Sequence, residues 1–410
     1  MQLIARRSWA LALGMLMLTG AFAHSIVRAE STIDATTTAF YESGGNLNMT
    51  VLNPAVAADV GLGSTVSLQA GWEADVVTGA SVAVVDAPGG GTSVDAVTSA
   101  TTLSDVRHAF HGGATLRSDD AYVRGTYAHG FESDYRSQSV SISAGTELFE
   151  RNTALELTYS KSWDSVCDLK QPNAKTAVER QRLPTSDGCF SGQERTKHAL
   201  DLHSLQGSWT QAWAPLWNTQ LVLSTQLLHG FQGNPYRAVW LGRSAAQEHH
   251  PEHRARYAVG LGTRIWLKPI GGALQLFGRA YRDTWDVRSV SAELAYERNL
   301  GDLFRVRARG RYYAQTAAAF FSDDYALKPG GQYFTGDREL SAMQSYLGGL
   351  RLEFIPRPRG DGTIAGFLDS VLFVLKGDYV RYEFSGFRYG QVAVPNRSAI
   401  FGTLGIEATF

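Results

Sequence analysis

Two cysteines in 410 residues are too few for a disulfide framework, and no apolar run of helix-spanning length follows the N-terminus. A small cross-linked scaffold and a helical membrane span are both excluded. Neither charge dominates, with 38 Lys+Arg against 39 Asp+Glu, so a dedicated nucleic-acid binder is excluded too. The usual chemical signatures are also missing: no G-x-S-x-G elbow, no H-E-x-x-H, no phosphate-cradling G-x-x-x-x-G-K-[ST], no C-x-x-C-H. We expect no enzyme and no cofactor from such a chain.

What is present is alternation. RVRARGRYY (305–313) places Arg305, Arg307, Arg309 and Arg311 at every second position. Side chains two apart diverge on a helix but share one face of a strand, with Val306, Ala308, Gly310 and Tyr312 opposite. The same period recurs along the chain. Val66, Leu68, Ala70, Trp72 and Ala74 oppose Ser67, Gln69, Gly71, Glu73 and Asp75, while Leu155, Leu157 and Tyr159 oppose Glu156, Thr158 and Ser160. Runs of ten or more residues suit tilted membrane strands better than soluble ones.

Such runs predict about sixteen strands, beginning near 36, 47, 63, 105, 119, 136, 152, 196, 216, 255, 272, 288, 303, 341, 368 and 397. Around His203 the alternation slips by one residue, which suggests a bulge or a wrong boundary. Long connectors near 78–104, 165–195, 230–254 and 316–340 follow odd strands, and short turns follow even ones. Only 356–367 is long on the short-turn side. The fold class is therefore an all-β, transmembrane, antiparallel up-and-down barrel with long external loops and short periplasmic turns. Trp209, Trp213 and Trp217 gather at one short turn, where an aromatic girdle would meet the membrane interface.

Both ends agree with an outer-membrane location in a Gram-negative bacterium. Arg6, Arg7, the apolar stretch Trp9 to Leu18 and Ala21-Phe22-Ala23 read as an export signal over 1–23, with a cut after Ala29 as the alternative; residues 24–410 form the barrel. The last strand, FGTLGIEATF, stops on Phe410, a terminal aromatic typical of the signal read by the barrel-assembly machinery. Export to an oxidising compartment makes a Cys167–Cys189 disulfide the expectation.

On this topology the arginine stripe faces a water-filled lumen. A tight turn at Asn299 to Asp302 brings Glu293 and Glu297 beside it, and Arg279 lies on the polar face of a neighbouring strand. Two roles are open: an ion-pair ladder that braces the wall, or a stripe that draws anions along a pore. The first long loop repeats DVVTGASV (75–82) as DAVTSATT (95–102), with PGGG between the copies. It is either a hairpin, which would set Asp75 near Asp105, or an inward-folded constriction offering Asp75, Asp95 and Asp105 to a cation. EHHPEH (248–253) offers His249, His250 and His253 to a metal, against a plain solvated loop.

EADVVTGAS (73–81), DVRHAF (105–110), ESDY (132–135), ERNT (150–153), NPYR (234–237), DTW (283–285), RYYAQTAAAF (311–320) and DRELS (337–341) resemble strings of a bacterial family of predicted outer-membrane β-barrels catalogued as a domain of unknown function. The resemblance covers nearly the whole chain and implies a barrel without an assigned reaction. With Arg107, it puts Asn234, Arg237, Asp283, Trp285, Tyr312, Tyr313, Gln315, Asp337 and Glu339 forward as a common structure at the outer mouth, there either to bind a ligand or to lock loops together. The expected function is passage or binding of a small polar or charged solute through a lumen controlled by external loops. The alternatives are a plugged scaffold for other exported proteins and a metal-binding receptor or enzyme at the rim.

Overall fold

The computed structural model describes residues 31–43, 48–79, 103–183, 189–241, 244–322, 325, 331–357, 363–384, 388–389, 392–393 and 396–410. The export segment 1–23, Asp95 and the second repeat copy lie outside them, as does the side chain of Asp105. Sixteen strands form one closed antiparallel barrel. They are β1 Thr32–Ser43, β2 Met49–Leu62, β3 Val66–Gly79, β4 Leu103–Arg117, β5 Ala121–Phe131, β6 Tyr135–Leu148, β7 Thr153–Leu169 and β8 Arg195–Ala214. There follow β9 Trp217–Gly230, β10 His253–Leu267, β11 Gly272–Asp283, β12 Arg288–Leu300, β13 Phe304–Gln315, β14 Met343–Phe354, β15 Ser370–Glu383 and β16 Arg397–Thr409. Each pairs with its sequence neighbours, and β16 closes the ring on β1 with Phe40 opposite Phe401. Closure leaves no edge of unsatisfied backbone groups, which is what a strand-built membrane span requires.

Loops and turns segregate as the alternation predicts. Connections after odd strands gather at one end, here the long-loop end, and tight turns at the other. The exception at 355–369 is real: it follows β14 on the turn side, bridged at Ile364 and Leu368, and its Phe367 stacks on Phe410. The turn after β6 is held differently. Phe149, Glu150 and Arg151 all take positive φ, a conformation L-residues rarely adopt in succession. Asn152 stabilises it by donating to the Phe149 carbonyl at 2.9 Å, and Arg151 pairs with Glu147 at 3.2 Å.

One expectation is corrected and one holds. No bulge lies at His203, because the β7–β8 register runs unbroken from Thr153↔Gln211 to Leu169↔Arg195. The alternation slips there because Leu200 and Leu202 face inward while Asp201 and His203 face out. The irregularity sits instead between Ala212 and Ala214. The hairpin expectation holds in register, since Asp75 pairs two residues from Asp105. The cross-strand partner of Asp75 is Arg107, with an ion pair of 3.8 Å, and Asn53 donates to Asp75 at 2.7 Å. Asp105 is set against Val77.

The burial pattern is inverted relative to a water-soluble protein. Outward positions carry exposed apolar side chains, among them Ile142, Leu157, Leu223, Leu261, Leu294, Leu350 and Leu404. A continuous apolar surface of this kind belongs in lipid. Trp209, Trp213 and Trp217 form an edge-contacting row at the β8–β9 turn, with ring centroids 6.1 and 6.0 Å apart. An arginine substituted for Leu350, midway along β14, should cost about 2–4 kcal/mol of folding stability in lipid vesicles. The same change at Leu148, beside a turn, should cost about 0–1 kcal/mol, both read from denaturant unfolding.

Candidate functional site

Alternation and closure put the basic stripe of β13 on the interior face, where its partners come from more than one neighbour. Arg307 and Arg309 reach Glu293 of β12 at 3.4 and 3.5 Å. Arg305 reaches Glu353 of β14 at 3.2 Å, and Arg351 shares that carboxylate at 2.8 Å. Arg309 also spans two strands to grip Asp378 of β15 with both Nε and Nη2, each at 2.9 Å. Gly349 lies between them in the ladder; a Cβ there would sit 1.8 Å from Asp378 Oδ1, so only glycine leaves the carboxylate its place. Lys376 completes the cluster at 3.0 Å. Glu297 lies opposite Arg307 in the ladder, beside the stripe as expected. Its ion pair, however, is with Arg264 of β10 at 2.7 Å, three strands away from the stripe. Arg279 is exposed on the interior face, with its guanidinium 5.9 Å from the Tyr281 ring, and no carboxylate among the described residues lies within ion-pair distance.

The geometry of these pairs is lopsided. Asp378 is 3% exposed while Arg309 and Lys376 are 22% and 23% exposed. Glu353 is 9% exposed beneath Arg305 at 40%. The acids lie against the wall and the cations lie over them. The wall from β5 to β9 is different, with Ser137, Ser139, Ser141 and Ser143 inward on β6 and Thr158 and Ser160 beside them on β7. One side of the interior therefore presents guanidinium groups and the other mainly hydroxyls.

Above this wall, at the long-loop end, a second cluster ties the loops together. Glu248, in the β9–β10 loop, accepts from the Asn234 backbone at 2.6 Å, Thr335 Oγ1 at 2.9 Å and Arg237 at 3.2 Å. Arg237 also holds Asp337 of the β13–β14 loop at 2.8 Å. Burial would raise the Glu248 carboxyl, but Arg237 and His250 outweigh it and hold it at about 2. Glu339 moves the other way. Burial, reinforced by Asp337, pushes its carboxyl well above the usual range. A parallel brace joins the β7–β8 loop: Asp168 accepts from Arg180 at 2.5 Å and Gln247 at 2.9 Å. The Cys167–Cys189 disulfide is formed beneath it and packs on Tyr236.

The segment Arg338–Leu340 turns back over the inward faces of the barrel. Gln315 donates to the carbonyls of Glu339 and Ser341 at 2.6 and 2.7 Å, and Tyr313 donates to Gln315. Arg338 crosses to β1 and binds Glu42 at 2.9 and 3.3 Å, with Arg397 of β16 3.6 Å from the same carboxylate. At the β11–β12 loop Asp283 accepts from Arg254, Tyr281 and the backbone of Trp285 and Val287. The Arg254 guanidinium lies 3.9 Å over the Trp285 ring.

The mouth residues thus divide. Asn234, Arg237, Asp283, Trp285, Tyr313, Gln315, Asp337 and Glu339 all enter this bracing network. Tyr312 does not, because it faces outward and meets Tyr346 in a tilted contact with ring centroids 5.4 Å apart. The three histidines do not converge. His249 binds the Gln332 carbonyl, His250 binds the Gln232 carbonyl, and His253 faces outward against His229. Among the described residues no group of three or more His, Cys, Asp or Glu is placed to hold a metal. Glu42, Asp378, Glu353 and Gln247 carry much of the architecture yet had no local signal. Apart from the same-strand partners Arg351 and Lys376, their partners lie one to several strands away, so spacing along the chain does not reveal them.

Fold and interior together define a membrane-spanning sixteen-stranded barrel with a polar, asymmetric interior and a braced mouth. The chain belongs to the family described as "Protein of unknown function (DUF3570)", whose model matches residues 10–354. No curated protein matches the sequence. Among solved structures it is similar to a bacterial polysaccharide outer membrane secretin, with 9% identity, TM-score 0.48, and 93% of this chain and 98% of that one covered. It is similar to Pseudomonas aeruginosa OccD3 (OpdP) at 10% identity and TM-score 0.42, covering 95% of this chain and 93% of that one. A BenF-like porin from Pseudomonas fluorescens Pf-5 gives 7% identity and TM-score 0.43, covering 94% of this chain and all 100% of that one.

Removing Arg237 leaves the buried Glu248 and Asp337 without their shared cation, which typically costs about 3–5 kcal/mol. R237A should make the β9–β10 and β13–β14 loops sensitive to protease while the barrel still shows its folded gel mobility. The two carboxyls carry opposite pH signs. Glu248, depressed in the fold, contributes stability above the ordinary glutamate range that is lost as pH falls toward about 2. Glu339, raised in the fold, favours the folded mouth at low pH and loses that contribution as pH rises. E339Q should therefore slow loop proteolysis at pH 7.5 and change little at pH 4; an unaltered rate at pH 7.5 would contradict this.

Proposed function

We propose that the protein is an outer-membrane channel for small anionic solutes, with the long-loop end facing out of the cell. The observation that carries this reading is the stacking order of the interior ion pairs. Cations over recessed carboxylates present a net positive surface to the lumen, although the chain as a whole is nearly neutral. Field lines focused between low-dielectric walls would concentrate anions along that side, and the facing serines supply neutral hydrogen-bond partners. The expected roles of Arg305 to Arg311 are therefore not exclusive: Arg309 is mainly a brace, and Arg264, Arg279 and Arg305 form the attracting surface. The Arg338 turn narrows entry from above, and the loops braced by Arg237 hold that turn in register. The terminal strand ending at Phe410, paired to both β15 and β1, is the segment we assign to the assembly machinery.

The extent of the mouth bracing favours one competitor, a barrel closed by its own loops that serves as a scaffold. Single-channel recording in planar bilayers under a salt gradient separates the two. The channel reading predicts stable steps with a reversal potential on the anion side. R264A/R279A should reduce the anion preference severalfold without loss of the folded barrel, whereas R309A should lower thermal stability. A folded protein that gives no steps would remove the channel reading.

A further inference from the structure

The outer wall carries a feature that the lumen does not explain. At the long-loop end Arg282 of β11 and Arg288 of β12 are direct cross-strand partners, both exposed and both on the lipid-facing side. Like charges set opposite one another on a sheet face repel. No carboxylate among the described residues lies within ion-pair distance of either guanidinium, including that of Asp286 in the loop between them. The pair stands where an apolar wall meets the polar interface.

Directly beneath it the wall is hollowed. One level down the ladder, Val259, Ala280, Val290, Ala314 and Gln344 are successive cross-strand partners. The next level runs Leu261, Gly278, Ala292, Tyr312 and Tyr346. The middle strands thus contribute chiefly small residues, flanked by Val259 and Leu261 on one side and the tilted Tyr312–Tyr346 pair on the other. An open concavity of about 670 Å³ lies over the upper level, and its lining includes Tyr257, Arg282 and Arg288. This also gives Tyr312 a place in the fold outside the mouth network.

An uncompensated arginine pair above an apolar trough matches the two halves of one kind of molecule. We propose that this groove binds an anionic, phosphate-bearing lipid of the surrounding leaflet, its acyl chain on the Ala280–Ala314 floor and its phosphate between Arg282 and Arg288. Two guanidinium groups on adjacent strands can donate to one phosphate from both sides, which converts their mutual repulsion into shared attraction. A free phosphate would satisfy the arginines and leave the trough empty. The site lies on the outside of the wall, so it stands whether or not the lumen conducts.

The test uses the folded full-length barrel in detergent and diphosphoryl lipid A as probe, followed by native mass spectrometry. Wild type should retain one lipid molecule at low occupancy ratios. R282Q/R288Q should bind about thirtyfold more weakly, in keeping with the loss of two basic contacts at a membrane surface. A280W, which fills the trough and leaves the arginines intact, should also lose retention, and excess inorganic phosphate should not restore an adduct. All three substituted positions are exposed, and unchanged heat-modifiable gel mobility establishes that each variant is folded. Equal retention by wild type and R282Q/R288Q would overturn the proposal. Unchanged retention by A280W would do the same by reducing the site to a surface charge effect.

Discussion

A strand entering hydrocarbon must satisfy all its backbone groups within the protein, and everything else in this structure follows from meeting that demand by closure. The β16–β1 ladder, running from Thr32↔Thr409 to Ser43↔Ser398, removes the last edge. Once the ring is closed, each residue has one of two environments and adjacent residues take opposite ones. Apolar side chains can turn outward without penalty, and along the hydrocarbon span charged side chains collect inside, the outward ones such as Asp201, Arg282 and Arg288 standing near the strand ends. The interior is therefore crowded with ionisable groups for architectural reasons before any functional one arises.

How those groups are arranged is where specificity enters. A carboxylate buried against the wall is costly unless it is paired and hydrogen-bonded, and Asp378 is held by Arg309 and Lys376 in a notch that Gly349 keeps open. The long arginine stems bridge from one strand to the next and leave their heads toward the lumen. The recessed acids thus leave the wall with a positive face toward the lumen. The same chemistry is used differently at the mouth, where Arg237, Glu248 and Asp337 are all buried and act as a brace between loops.

The strands were legible because a period of two sustained over ten or more residues fits a strand with one wet and one apolar face and fits no helix. The observed strand beginnings fall within four residues of those expected, from Thr32 against 36 to Arg397 itself. Loop order was legible for the same reason, since each strand reverses direction. The ties between loops were not. Arg338 and Glu42 are 296 positions apart, and no local pattern links them. Tyr312 was grouped with Tyr313 because they are adjacent in one string, although alternation alone assigns them opposite faces. The histidines of 248–253 look like a ligand set only while the loop is imagined alone. Its pairing with Phe334 and the start of β10 turns the three rings apart.

The central claim is that the arginine face of β13 is wet while its other face is in lipid. Both native cysteines are consumed by the disulfide, so single cysteines at 307 to 310 can be spin-labelled cleanly in lipid vesicles. Accessibility to oxygen and to a water-soluble nickel complex is then measured at each position. The account predicts strict alternation, with oxygen favoured at 308 and 310 and the nickel complex at 307 and 309. Exclusion of the nickel complex from all four would mean a dry, filled interior and would contradict it.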